Sequence, residues 1–178
     1  MKHNIPEIHN TAFIAEGVKI TGNVIIKKDA SVWYNSVIRC DVEKTKIEIG
    51  ERTNIQDGSV VHIDYNKSAI IGNDVTIGHN CIVHACTIED GCLIGMGAII
   101  LSGAHIKKGA IVGAGAVVKE NMIVEENTLV VGIPAKQVKI LSPGTYMHNI
   151  QHAADYAQFG KKHKSGKYPV HSNIQDTY

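Results

Sequence analysis

Three histidines, His62, His79 and His84, sit close together in the chain, with Arg39, Asp41, Gln56 and Asp57 shortly before them. Neutral imidazoles bind zinc-type cations at about 2.1 Å, and three of them leave a tetrahedral ion one open position for water. A cation so placed lowers the pKa of that water from 15.7 to about 7, which supplies hydroxide at neutral pH. Metal-assisted hydration or hydrolysis is therefore the chemistry these residue types can perform. The other seven histidines, His3, His9, His105, His148, His152, His163 and His171, read as surface or corner residues. His148 and His152 have the i, i+4 spacing of a helical metal pair, but two ligands without a third are weak evidence, and they read as a solvated helix face.

The elements that must hold these residues are set by a period of six. Twenty positions from Ile8 to Val130 carry Ile or Val on this register, including Ile38, Ile49, Ile55, Val61, Ile71, Ile77, Val83 and Ile88. Small or compact residues follow four places later, among them Ala30, Ser36, Thr53, Ser59, Cys81, Cys92 and Ala98. The period fits neither a helix nor a hairpin strand, but it fits the hexapeptide repeat of a parallel β-helix. One hexad cannot bury its own β-branched side chain, whereas three close a triangular coil that stacks on its neighbours. Gly with Asn or Asp, as at Gly22-Asn23 and Gly72-Asn73-Asp74, supplies the corners. The rival, an antiparallel sandwich of short strands, does not recur at six residues for so long.

The register breaks in three places: five extra residues between Ile38 and Ile49, four between Val61 and Ile71, and one fewer between Val83 and Ile88. Departures from a strict period mark adapted sites, so function is sought between residues 38 and 88. Assigning faces in rotation stacks Arg39, His62 and His84 in one column and Tyr34, Asp57 and His79 in another, with Gln56 beside Asp57. Coils lie about 4.8 Å apart, so His62 and His84 can converge on one ion. His79 reaches His84 only through extended chain around a corner, up to about 16 Å, whereas ligands of one ion approach within roughly 3 to 4 Å. A neighbouring copy can supply His79 instead, which makes the site intermolecular and the protein a cyclic oligomer, most simply a trimer. The alternative is a purely structural polar cluster at such an interface.

Composition sets the remaining bounds. A chain of 178 residues, 44% apolar, is one ordinary domain, and a net charge of +1 carries no nucleic-acid footprint. The polar N-terminus and the lack of a long apolar run point to a cytoplasmic protein that meets no membrane. Cys40, Cys81, Cys86 and Cys92 have no CxxC spacing and read as buried free thiols. The β-helix is expected over residues 1–140. Beyond Ser142-Pro143-Gly144 the period changes, and Tyr146, Met147, Ile150, Ala153, Ala154 and Ala157 predict a helix within 141–163 whose apolar stripe lies along the coil. Residues 164–178 are expected to form a loose tail.

At its polar residues the chain resembles the γ-class carbonic anhydrase family. The segments that carry the likeness are Ser31-Val-Trp-Tyr-Asn-Ser-Val-Ile-Arg-Cys-Asp41, Asn54-Ile-Gln-Asp-Gly-Ser-Val-Val-His62, Ile77-Gly-His-Asn-Cys-Ile-Val-His84 and Ile94-Gly-Met-Gly-Ala98. The closing Gly-Ile-Pro-Ala-Lys also matches, so the likeness covers nearly the whole chain. It implies a left-handed β-helix and a homotrimer that hydrates carbon dioxide to bicarbonate with a metal-bound hydroxide. It also implies that His62 and His84 of one subunit and His79 of the next hold one divalent metal, zinc first, with iron(II) or cobalt also accepted. Gln56 would hydrogen-bond the hydroxide, Arg39 and Asp57 would pair across the interface near Asp41, and Tyr156 would reach towards the site. The pattern departs at Val42 and Cys40 and in the loop 63–70, which lacks the acidic extension of a proton shuttle; slow turnover is expected. Alternatives of other classes are a metal-dependent acyl-CoA thioesterase, a hexapeptide acyltransferase using one histidine as base without metal, and a non-catalytic trimeric scaffold with a structural ion.

Overall fold

The computed structural model describes residues 5–171. Residues 1–4 and 172–178, with His3 and the end of the expected tail, lie outside the described residues. Every pairing within the coils is parallel, and each strand pairs with strands one coil above and below, three elements away in the chain. Three sheets result, one per side of a triangular prism. The first runs from Glu7–Ile8 through Ile47–Ile49 and Ala69–Ile71 to Ile123–Val124. The second contains Phe13–Ile14, Ser31–Val32, Asn54–Ile55 and Thr76–Ile77 and ends at Lys136–Ile140. The third stacks Lys19–Gly22, Val37–Cys40, Val60–His62, Ile82–His84, Ile99–Ile100 and Val117–Val118.

The predicted register holds residue for residue. Ile38 pairs with Val61 and Val61 with Val83, while Ile55 pairs with Ile77 and Ile49 with Ile71. These side chains are fully buried and form one continuous ladder with the small inward residues Ala30, Ser36, Ser59, Cys81, Cys92, Ala98 and Ala104. All four cysteines are free and buried, as expected. One strand departs from the solenoid: Lys136–Ile140 folds back antiparallel on Thr128–Val131, where the sequence had suggested only an exit from the coil.

Among the described residues one α-helix forms, and it spans Pro143–Lys164. Pro143 occupies the first turn, where its missing N–H costs no bond, and Lys161, Lys162, His163 and Lys164 complement the negative end of the dipole. It lies along the second sheet, against the strands of Phe13, Ser31, Asn54 and Thr76. Its buried seam is Asn149, Ala153, Ala157 and Gly160, not the whole predicted stripe, because Met147 turns to solvent at 64% exposure. Small residues set that choice. A Cβ on Gly160 would stand 3.1 Å from the Phe13 Cβ, so the helix backbone rides directly on the coil.

Candidate functional site

All three breaks in the repeat fall at the same corner, after Cys40, after His62 and after His84, where the third sheet turns into the first. The extra residues leave the coil there without disturbing the inward ladder. After His84 the shortened corner forces Ala85 into the left-handed region, at φ +47°. The side chains bordering this edge are Arg39, His62 and His84, paired in sequence along adjacent strands. The expected column is formed.

Within the column, His62 Nδ1 stands 3.2 Å from His84 Nε2, with ring centroids 5.2 Å apart. The outer nitrogens are held by oxygens. His62 Nε2 lies 3.3 Å from Asp41 Oδ1, and His84 Nδ1 lies 2.9 Å from Ser102 Oγ. Arg39 pairs with Asp41. Desolvation pushes the Asp41 carboxyl up, but hydrogen bonds from His62 and Arg39 outweigh it and hold it below the usual carboxylate range. Asp64, on the loop after His62, is held low by the Tyr65 backbone N–H and then by Ser102. Ser102 and Asp64 were not singled out from the sequence. Ser102 follows the Ile100 register by two, and only the stacking of coils shows that it meets His84.

The second column stands on the second sheet. His79 Nδ1 lies 2.8 Å from Asp57 Oδ2, one coil apart. Gly58, at φ +69°, makes the corner that allows this, and a Cβ there would fall 2.3 Å from Asn80 Oδ1. Within one chain, then, Asp57 partners His79 and Arg39 partners Asp41. Tyr34, the third member of this column, turns away to His163, its hydroxyl 3.0 Å from Nδ1. Among the described residues, no three possible ligands of one chain gather around a single point. The two columns are on different sides of the prism, as the rotation of faces predicted.

Gln56 is buried, and its Nε2 donates to Asn54 Oδ1 at 3.1 Å. Asn54 Nδ2 in turn donates to Thr76 Oγ1 at 2.9 Å, and Thr76 Oγ1 meets His152 Nδ1 at 3.1 Å. Gln56, Thr76, His79, Leu93, Met96, His152 and Tyr156 line one open cavity of about 320 Å³. Tyr156 stands edge-on to Trp33 at 5.6 Å, and burial, then the Asp57 charge, pushes its phenol upward. The reading of His152 as solvated is corrected here: it is half-buried between Thr76 and the Tyr156 ring, 5.2 Å away. His163 is corrected likewise, since it sits against Phe13, Trp33 and Tyr168. Both errors have one cause. A helix period shows which residues share a face but not which strand that face meets.

The fold and the two columns define a hexapeptide-repeat β-helix with a histidine-rich edge, and known proteins share its fold. The family described as bacterial transferase hexapeptide (six repeats) matches residues 85–120. The carbonic anhydrase of Geobacillus kaustophilus is 42% identical over 164 residues, covering 92% of this chain and 89% of that protein. Gamma carbonic anhydrase 1 of Arabidopsis thaliana is 40% identical over 48% of this chain, but only 32% of that protein is matched. Among solved structures, a Bacillus cereus protein named as an acetyltransferase superposes with TM-score 0.87 at 40% identity, covering 93% of this chain and 95% of that one. A hexapeptide transferase family protein of Anaplasma phagocytophilum gives 0.83 at 40% identity, over 88% and 91%. The chain belongs to the γ-class carbonic anhydrase-like family of hexapeptide-repeat proteins, and its fold is a left-handed parallel β-helix with a C-terminal helix packed along it. The described residues include no helix long and apolar enough to cross a membrane.

Proposed function

We propose that the protein is a metal-dependent enzyme that reversibly hydrates carbon dioxide to bicarbonate at the interfaces of a homotrimer. The donor set carries this reading. His62 Nδ1 and His84 Nε2 are 3.2 Å apart, and ligands sharing one tetrahedral ion at about 2.1 Å stand roughly 3 to 4 Å from each other. Each of the three histidines also has its other ring nitrogen against an oxygen, of Asp41, Ser102 or Asp57. Such partners fix the tautomer and orientation of metal-binding imidazoles. The residues therefore fit one divalent metal per interface, held by His62 and His84 of one copy and His79 of the next. Zinc is the first choice, and three imidazoles accept iron(II) or cobalt as well. Such a cation, when bound, supplies water acidic enough to ionise near pH 7.

The chain's own groups do the rest. Asp57 orients His79, and Asp41 and Ser102 orient the His62–His84 pair. Gln56 is fixed by Asn54 at the edge of the cavity, where its amide can position a small substrate, while Leu93, Met96 and Tyr156 wall that space with apolar surface. Arg39 and Asp57 are assigned to each other across the interface. Support for the trimer comes from the third sheet: Val60 and Ile82 face outward in register, 36% and 41% exposed, next to the histidine column. An apolar ladder beside unsaturated ligands fits burial against a second copy.

The test is stopped-flow carbon dioxide hydration on protein loaded anaerobically with zinc or iron(II), with His84→Ala beside it. The expected outcome is activity and one metal per chain in the parent, both lost in the variant, with unchanged circular dichroism because the removed ring points away from the core. An unfolded variant would make the column structural, and a metal-loaded but inactive parent would remove the hydration reading. Acyl transfer is the second reading, favoured by the acetyltransferase name of the Bacillus cereus relative. Acetyl transfer that survives chelation would decide for it, since a lone histidine base needs no metal.

A further inference from the structure

Hydration of carbon dioxide forms one carbon–oxygen bond and releases one proton, which must leave the site before the next turnover. The loop 63–70 carries no acidic extension, and its one carboxylate, Asp64, is engaged by the Tyr65 N–H and Ser102, so another group must take it. We infer that the Thr76–His152 pair on the helix side of the cavity takes this proton and passes it to solvent. The inference rests on the hydration reading.

Hydrogen-bond directions support the assignment. Gln56 Nε2 donates to Asn54 and Asn54 Nδ2 donates to Thr76 Oγ1, so the amide chain leaves the Thr76 hydroxyl proton to point at His152 Nδ1, 3.1 Å away. Thr76 and His152 both line the cavity that also holds Gln56 and His79. In the transfer, the Thr76 O–H bond breaks as an Nδ1–H bond forms on His152, a cavity water gives a proton to Thr76 Oγ1, and that water takes up the proton released by hydration. The imidazolium then gives a proton to buffer, because His152 is only partly covered. The asparagine and glutamine amides carry no proton; they orient the hydroxyl.

The surroundings suit an acceptor. On its own helix His152 faces His148, Asp155 and Tyr156, and across the cavity it faces His79. Burial first, then the His148 charge, lowers its pKa against the opposing pull of Asp155, so the ring is neutral at neutral pH and ready to accept.

The experiment is the same hydration assay on metal-loaded protein, comparing the parent, His152→Ala and Thr76→Val at low and high buffer, with added imidazole. We expect kcat in His152→Ala to fall at least tenfold at low buffer, kcat/KM to stay within twofold, and imidazole to restore kcat. Thr76→Val should lower kcat in the same way with weaker rescue. A parallel fall of kcat and kcat/KM without rescue, at unchanged metal content and melting temperature, would make the pair structural and overturn the inference. Unchanged kcat would overturn it too. A parent that binds metal and shows no hydration would instead remove the reading beneath it, a result distinguishable because the variants would then have nothing to lose.

Discussion

The coils between Ile38 and Ile88 and those between Ile88 and Val130 have the same interior and different edges. Both halves bury Ile or Val at every register position, with Ser59, Cys81, Ala98, Ala104, Ala110 or Ala116 filling the small inward place. The later half keeps a strict period of six, and the hexapeptide family match at residues 85–120 lies almost wholly within it. The earlier half contains every candidate ligand and all three breaks. Inward positions are shared by every coil because each coil is the lid of the next, so no coil can change them alone. Outward positions and corners answer only to solvent, to the packed helix or to a second copy, and chemistry accumulates there.

The comparison can be broken by substitutions matched across the two halves. The largest effect is expected from Ile82→Glu, which sets a charge into the outward ladder beside His84. Light scattering should report a monomer and metal content should fall to background. Ile123→Glu, equally outward at 54% exposure in the later half, should leave both unchanged. Next come the inward positions, where the halves should behave alike. Ile77→Ala and Ile106→Ala, both fully buried, should each cost about 2–5 kcal/mol in urea unfolding. A cost confined to one half would contradict a continuous core.

A smaller effect separates orientation from ligation. Asp57→Asn keeps the shape beside His79 but loses the charge, and metal affinity should fall about 10–100-fold while the fold persists. Competition with a fluorescent chelator measures it. The smallest effect is on pH. Burial pushes Cys81 up to about 11 and Cys86 and Cys92 up to about 12, from an ordinary value of 9.0. An unfolded thiol ionises near 9.0 while the folded one stays protonated, so the unfolded state binds fewer protons between these values. The thiol contribution to stability should be level below pH 9 and be lost as pH rises towards 11 to 12, and the slope there should diminish in Cys86→Ala. Alkylation of the native protein at pH 8 should be slow by the same burial.

The hexad register made most of this molecule legible in advance. It located the three sheets, their residue pairing, the Arg39–His62–His84 column and the Asp57–His79 column, because side-chain direction in a strand alternates with a fixed period. It also set His79 apart from the His62–His84 pair within one chain, because the rotation of faces puts them on different sheets. The oxygens behind the ligands were not legible. Ser102 meets His84 from the next coil, Asp64 reaches Ser102 from a loop whose path no period describes, and Arg39 finds Asp41 rather than a distant partner within the chain.

What the residues determined unaided is the solenoid, because a β-branched side chain every sixth residue has only one way to be buried many times over. What the tertiary structure decided is the seat of the helix. Thirteen residues beyond the last register position, the chain enters a helix whose period allowed Met147 or Ala157 to face inward. Close packing on Phe13 and Ser31 selected the small seam ending at Gly160, and that rotation brought His152 to Thr76 and Tyr156 to Trp33. A helix carries no record of the strand it will meet; contact volume fixes its rotation, and the helix side of the cavity exists only after it is fixed.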